Sequence, residues 1–322
     1  MRVNLGSEIM KGKETSTINQ IFILGAGAVG SMCGAKLYTK NDVTLIGSDR
    51  HVEVIHKSGL RVKGEMEAVL QTKADTQIRE IPPNSLVLLT TKVYDSKRAL
   101  ESIVKLLRDD TIIVILQNGI GNEEIAKEVV RDKIHIERGV LHVGVEFTKP
   151  GEVNITSSGW IALGNTQEAR KIAKLFNESG LDTRIVDDLN KDVWDKLVIN
   201  CVINSLSAIF EIRTNEVGTP ALDNLRHGIV EECLKVAEAE GVHFGKDFFK
   251  EVDKRILKSK NYSSLYQDLM KDRKTEIDFL NGKIVELGRK HGIATPINEA
   301  LVCMVKYLEE THARRVAHVR PC

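Results

Sequence analysis

Lys196, Asn200 and Asn204 fall at i, i+4 and i+8 within Trp194-Asp-Lys196-Leu-Val-Ile-Asn200-Cys-Val-Ile-Asn204-Ser-Leu206. On a helix each member of such a series drifts by only about 40° from the last, so the three make one polar stripe. The other faces of this run are apolar, which predicts a buried helix whose stripe meets a cleft or a satisfied polar network. An unpartnered buried lysine costs several kcal/mol. A structural arrangement would pair Lys196 with an aspartate and leave two amide ladders. A cleft-facing stripe instead offers a proton donor and two amides for catalysis, and that arrangement is favoured here.

A second constellation lies near the N-terminus. Ile21-Phe-Ile-Leu-Gly25-Ala26-Gly27-Ala28-Val29-Gly30 places a Gly-x-Gly-x-x-Gly turn directly on an apolar run. Gly25 allows the tight turn, Gly27 lets the backbone approach a pyrophosphate, and Gly30 lets helix and strand pack closely. The N–H groups of Ala26 to Val29 then face the phosphates at a helix N-terminus. The next strand ends Leu45-Ile46-Gly47-Ser48-Asp49-Arg50-His51, with no acid at the strand end itself. Gly47 and Ser48 leave room for a 2′-phosphate, and Arg50 is placed to pair with it while Asp49 opposes it. The expectation is NADP(H), with NAD(H) left open. Thr90-Thr91-Lys92 and Gln117-Asn118-Gly119 follow two further strand-like runs, so Lys92 is a candidate for phosphate or ribose and Asn118 for the nicotinamide or substrate.

The third cluster joins Ser263-Ser264-Leu-Tyr-Gln-Asp268 to Lys274-Thr-Glu276-Ile-Asp278. Ile277, Leu280, Ile284 and Leu287 form a core stripe, and Glu276 sits beside it, as a residue at a domain interface would. Ser264 offers a hydroxyl to a carboxylate and Glu276 a carboxylate to ribose hydroxyls. Out of context, Ser264 reads as a helix N-cap and Glu276 as a solvated charge.

These groups need a scaffold, and the chain's patterning supplies one. Strand-like runs at 21–24, 43–46, 86–90 and 111–116 alternate with helical stretches at 29–40 and 95–107, which predicts βαβ units and a parallel sheet. Residues 59–78 resemble a hairpin insertion, and 139–164 are β-rich. A helix at 167–178 and a strand at 183–186 complete a dinucleotide-binding domain over 19–188. Asp187-Asp-Leu-Asn190 serves as a hinge. Beyond it, 193–210, 221–240, 263–291 and 296–313 all carry helical spacing, giving an all-α domain over 189–322. The fold class is α/β, a Rossmann-type domain followed by a helical one, with 1–18 as a flexible extension.

Composition narrows the function classes. The chain has 322 residues with 46 basic and 45 acidic side chains, so no broad field draws nucleic acid or an anionic membrane. No continuous apolar stretch approaches the roughly 18 residues of a membrane span, and no signal-peptide pattern opens the chain. Five cysteines are scattered without a Cys-x-x-Cys pair, and Cys33 and Cys201 read as buried thiols. A cytoplasmic enzyme without metal fits these features, and the apolar C-terminal helices suggest a homodimer.

From Ile21 to Glu309 the chain resembles the ketopantoate reductase (2-dehydropantoate 2-reductase) family. The resemblance is carried by the Gly25–Gly30 turn, Gln117-Asn118-Gly119, the Lys196–Asn200–Asn204 run, and Ser263-Ser264 followed by Thr275-Glu276-Ile-Asp278. It implies NADPH-dependent reduction of 2-dehydropantoate to pantoate, a step toward pantothenate and coenzyme A. By position, Lys196 would be the general acid, and Asn200 and Asn204 would orient the substrate. Ser264 would bind its carboxylate, Glu276 would meet the ribose or substrate, and Lys92 and Asn118 would line the cofactor side. This chain departs from the family pattern at Ser48, where similar members carry Arg. It departs too at Asn215, offset by one, and at Ser205, where Pro commonly follows Asn204. The alternatives are a reductase of another small 2-oxo acid and a non-catalytic NADP(H) sensor.

Overall fold

In the computed structural model, residues 18–131, 134–258 and 260–319 are described; of the extension expected over 1–18 only Ile18 falls among them, and Cys322 lies outside them. The first half builds a twisted eight-stranded sheet. Its strands are β1 (Gln20–Leu24), β2 (Val43–Ile46), β5 (Lys73–Asp75), β6 (Ser85–Leu89), β7 (Ile112–Ile115), β8 (His135–Leu141), β11 (Ile161–Gly164) and β12 (Thr183–Val186). They lie in the order β12-β11-β8-β7-β6-β1-β2-β5. All run parallel except β11 and β12, which turn antiparallel to the rest at the β8–β11 pairing. The five residues Ser85-Leu-Val-Leu-Leu89 are buried throughout, because helices cover both faces of this central strand.

Helices α1 (Ala28–Leu37) and α5 (Gln167–Glu178) share one apolar core with one face of this sheet, and α3 (Ser96–Ile103) and α4 (Asn122–Val130) share another with the opposite face. Helix α2 (Asp49–Ser58) follows β2 directly. The segment expected as a hairpin insertion splits in two. β3 (Leu60–Gly64) and β4 (Ala68–Leu70) do form an antiparallel hairpin, but β5 returns to extend the main sheet. β9 (Gly144–Lys149) and β10 (Glu152–Ser157) join that hairpin in a second, four-stranded sheet ordered β4-β3-β10-β9.

The remaining helices enclose a third core whose buried members run from Trp194 onward. At its centre is α6 (Leu189–Phe210), N-capped by Asp188, whose side chain accepts from the Lys191 N–H. By length and composition α6 is apolar enough to cross a membrane, but most of it is buried as a core helix. Around it lie α7 (Asp223–Ala239), α8 (Phe248–Lys258), α9 (Ser264–Leu269), α10 (Asn281–His291) and α11 (Pro296–Val319). The single helix expected over 263–291 is therefore two. The chain leaves α9 through Asp272, in the left-handed region at φ 51°, and re-enters through a 3₁₀ turn at Ile277–Phe279. The predicted stripe survives the break, with Ile277, Leu280, Ile284 and Leu287 all buried. Helix α8 carried no expectation from sequence.

Candidate active site

The glycine turn sits at the switch point of the sheet, where β1 has β2 on one side and β6 on the other. Crevices at such points bind ligands. The N–H groups of Gly25 and Ala26 both donate to Ile46 O, at 3.1 and 2.7 Å, tying the turn to the end of β2. A Cβ on Gly25, at φ +110°, would stand 2.4 Å from Thr91 N, and one on Gly30 would stand 2.3 Å from Gly25 O. Gly27 is different: a Cβ there meets nothing within 4 Å. The turn is thus packed behind and open in front at the one glycine beside which a pyrophosphate must pass. On this observation the residues fit a dinucleotide.

That open side belongs to a cavity of about 900 Å³ between the sheet and the helical half, within the range of small-molecule and cofactor sites. Gly25, Ala26, Gly27, Ala28, Val29, Ser48, Lys92, Asn118, Lys196, Asn200, Asn204, Ser264 and Glu276 all line it. Two expected residues do not. Gly30 is buried behind the turn, where it serves packing, and Arg50 is exposed on α2.

The α6 stripe faces this cavity along its length. The Lys196 ammonium donates to Leu141 O at the end of β8. Burial, reinforced by the Arg138 guanidinium and opposed by Glu276, lowers its pKa from 10.5 to about 7. Asn204 Nδ2 reaches Ser264 Oγ at 3.5 Å, joining α6 to α9. The N-cap of α9 is Ser263, whose Oγ accepts from Tyr266 N–H at 3.2 Å and from Ser207 Oγ at 2.7 Å. Ser264 is therefore spared the capping role, and its hydroxyl faces the cavity beside Asn204.

Lys92 does not wait for a phosphate. Its ammonium pairs with Asp268 at 2.6 Å and Glu276 at 3.2 Å, both buried carboxylates of the helical half. Burial alone would lower the Lys92 pKa, but the two carboxylates outweigh it and hold the group above the lysine range. Glu276 also accepts from the Val93 N–H through Oε1, at 3.1 Å. Glu276 is thus clamped between Lys92 and the start of the β6–α3 turn, which leaves less of it for a ribose than the sequence implied.

Several groups escaped the sequence reading. Asp268 was visible as a residue but not as a partner, since 176 positions separate it from Lys92. Gln117 Nε2 ties the ends of β6 and β7 together through Thr91 O and Ser96 Oγ, each at 2.7 Å. Arg138, buried on β8, donates to Gly119 O at 2.9 Å, and its Nε and Nη1 have no partner among the described residues. Next to it in space, Ile120 N–H donates to Phe279 O at 3.3 Å, so the Asn118–Ile120 loop is stitched to the helical half. His51 is held neutral, its pKa lowered by burial to about 4, with Nδ1 accepting from the Gly151 N–H at 2.9 Å.

A glycine turn at a sheet switch point and a lysine–amide stripe facing it across one cavity define a nicotinamide-dinucleotide oxidoreductase acting on a CH–OH group. The chain belongs to the ketopantoate reductase family: residues 21–168 match the model described as ketopantoate reductase PanE/ApbA, and 188–309 match its C-terminal counterpart. A 2-dehydropantoate 2-reductase of Pyrococcus horikoshii is 35% identical over 298 residues, covering 90% of this chain and 97% of that protein. One from Lactococcus lactis is 32% identical, covering 90% and 98%. Among solved structures, a D-mandelate dehydrogenase with NADH and anilino(oxo)acetate superposes with a TM-score of 0.83 at 31% identity, covering 91% and 99%. A family ketopantoate reductase from Ralstonia eutropha gives 0.84 at 28%, with the same coverage.

Proposed function

We propose that this chain reduces 2-dehydropantoate to pantoate, with a reduced nicotinamide dinucleotide as donor and Lys196 as general acid. The observation that carries the proposal is the convergence of Lys196, Asn200, Asn204 and Ser264 on one cavity wall, with the open face of Gly27 on the same cavity. When bound, the dinucleotide supplies a hydride to the ketone carbon. The chain supplies the rest. Ser264 Oγ and the Asn204 amide hold the substrate carboxylate, Asn200 turns the ketone toward Lys196, and Asn118 closes the opposite side. As charge grows on the ketone oxygen, the Lys196 ammonium stabilises it and then transfers its proton from Nζ to that oxygen. A pKa of about 7 suits that exchange, because the ammonium gives up its proton readily near neutral pH. Closure of the two halves about Asp187–Asn190 orients the groups and excludes water.

In this reading residues 19–188 bind the dinucleotide and 189–322 supply the acid and substrate contacts. The chain acts in the cytoplasm as a homodimer, on the route to pantothenate and coenzyme A. A second reading, reduction of a different 2-oxo acid, is favoured by the likeness to D-mandelate dehydrogenase. Initial rates of dinucleotide oxidation with 2-dehydropantoate and with aromatic and branched 2-oxo acids separate the two. The first reading expects kcat/KM for 2-dehydropantoate to exceed the others by at least about tenfold, the scale of one lost polar contact. A preference for the aromatic acid moves the assignment to the second reading, and no oxidation with any 2-oxo acid removes both.

A further inference from the structure

We propose that this chain selects NADH over NADPH, in place of the NADPH that its family resemblance implies, and that Ser48 is the residue that sets the choice. The inference rests on the dinucleotide reading above and on what surrounds the end of β2. In this fold the ribose 2′-position lies at the end of the second strand, about 20 residues after the glycine turn, where an acid selects NAD and an arginine accommodates the 2′-phosphate of NADP. Here β2 ends at Ile46, and a Cβ on Gly47 would stand 3.3 Å from Ala26 Cβ, so the strand end abuts the turn itself. Ser48 is the next residue, and it lines the cavity.

A 2′-phosphate brings close to two negative charges and needs cations or N–H groups to receive them. Among the described residues, the lysines and arginines on the cavity wall are Lys92, Arg98, Lys196, Lys271 and Arg273. None comes from β2, α2 or the neighbouring edge strand β5. Lys92 is committed to two carboxylates, and Arg98 of α3 pairs with Asp95 at 2.8 Å. Lys271 donates to Phe147 O at 2.6 Å, and Arg273 lies over the Phe147 ring. His51, the one titratable group near Ser48 that reaches the wall, has both ring nitrogens engaged by Gly151 N and Ser31 Oγ.

The groups beside the strand end oppose a phosphate further. The N-terminus of α2 would attract an anion, but Asp49 in its first turn already supplies one. Across the sheet edge, Asp75 is paired with Arg79, so that arginine is also engaged. Arg50 is exposed and off the wall. What remains at the ribose is the Ser48 hydroxyl, which both donates and accepts and so matches a 2′-hydroxyl. NADH meets a matched hydroxyl there, while NADPH sets a dianion near Asp49 with no cation of β2, α2 or β5 on the wall.

The test is direct binding without any 2-oxo acid. Dissociation constants for NADH and NADPH are measured by titration calorimetry on the wild-type protein and on Ser48→Arg and Arg50→Ala. The expected result is NADH tighter than NADPH by at least about tenfold, the ratio of one missing charged contact. Ser48→Arg should improve NADPH affinity by at least about tenfold, and Arg50→Ala should leave the NADH/NADPH ratio within about twofold. Ser48 is exposed, so the arginine has room. Tighter binding of NADPH by the wild type overturns the proposal, and so does a ratio that moves with Arg50 but not with Ser48. If both dinucleotides bind in the expected order and no 2-oxo acid is reduced, the catalytic reading fails while this one stands. If 2-dehydropantoate is reduced with NADPH bound more tightly, the reverse holds. If neither NADH nor NADPH binds, both readings are overturned.

Discussion

Replacing Lys196 with methionine separates what this residue costs the fold from what it gives the reaction. The wild-type ammonium is lowered from 10.5 to about 7 by burial and by Arg138. At about 1.4 kcal/mol per pH unit, that depression sets a ceiling of roughly 5 kcal/mol on the penalty of holding the charged form in the folded state. The open side of Lys196 toward the cavity reduces the figure to a few kcal/mol. The sign follows from proton uptake. Below pH 7 the lysine is charged in folded and unfolded chains alike, so the whole penalty is present. Between pH 7 and about 10.4 the folded chain has lost a proton that the unfolded chain keeps, so unfolding takes up a proton and stability rises with pH.

Lys196→Met, of similar length and without the charge, should therefore melt several degrees above wild type near pH 6, and the gain should fade toward pH 10. Its kcat/KM should drop by at least about 10²-fold, the contribution of a positioned acid. In the wild type, kcat/KM for reduction should be level below pH 7 and fall about tenfold per pH unit above it, because only the protonated lysine delivers a proton. Oxidation of the hydroxy acid should show the opposite limb. Of the groups that face Lys196, His142 is held neutral by burial, its pKa lowered to about 3, and does not titrate in this window. Scanning calorimetry across pH and initial rates in both directions check the two halves. A variant that melts below wild type near pH 6, or a reduction rate level to pH 9, refutes the argument.

Three other substitutions probe the remaining parts. Gly27→Ala should leave the melting temperature unchanged, since its Cβ meets nothing, but weaken dinucleotide binding in calorimetry by at least about tenfold; Gly30→Ala, crowding Gly25 O, should lower both. Lys92→Met leaves Asp268 and Glu276 facing each other without their cation and should cost about 3–5 kcal/mol, read by denaturant unfolding, whereas Asp268→Asn should cost less. Arg138→Met removes a charge that lowers Lys196 and should move the falling limb of kcat/KM upward by on the order of one pH unit, while Arg138→Lys should keep the limb in place.

How much of this was legible in the sequence depended on how local each signal was. The Gly25–Gly30 turn is a backbone requirement spelled out in six consecutive residues. The Lys196 stripe needs only helical periodicity, and α6 supplies it over 22 residues. Ser263 and Ser264 show the limit of that reading, because one of two adjacent serines caps α9 and sequence does not say which. The break after α9 was equally hidden. No Gly or Pro marks it; the chain turns at Asp272, a residue type that tolerates positive φ without announcing it. The Lys92–Asp268–Glu276 cluster and the Arg138 contact join residues far apart in sequence, and no spacing rule reaches across such separations. Arg50 illustrates the converse. Its place after β2 suited a phosphate, but a helix starting at Asp49 carries it to the outer surface.

Lys92 and Lys196 line the same cavity and are driven in opposite directions, and that contrast supports the choice of acid. Where environments push two titratable groups apart, the one brought near the working pH is the one able to exchange a proton. Lys92 has two buried carboxylates and is held charged across any physiological pH, which suits a tie between the sheet and the helical half and disqualifies it as a proton donor. Lys196 has a carbonyl oxygen as its hydrogen-bond acceptor and a buried guanidinium as its neighbour, so its proton is loosely held. Placing an anionic 2-oxo acid beside Lys196 would raise its pKa and charge it as substrate binds; the product alkoxide would then take the proton. Exchanging the carboxylates between the two lysines would exchange their roles, which locates the division of labour in Asp268, Glu276 and Arg138 as much as in the lysines.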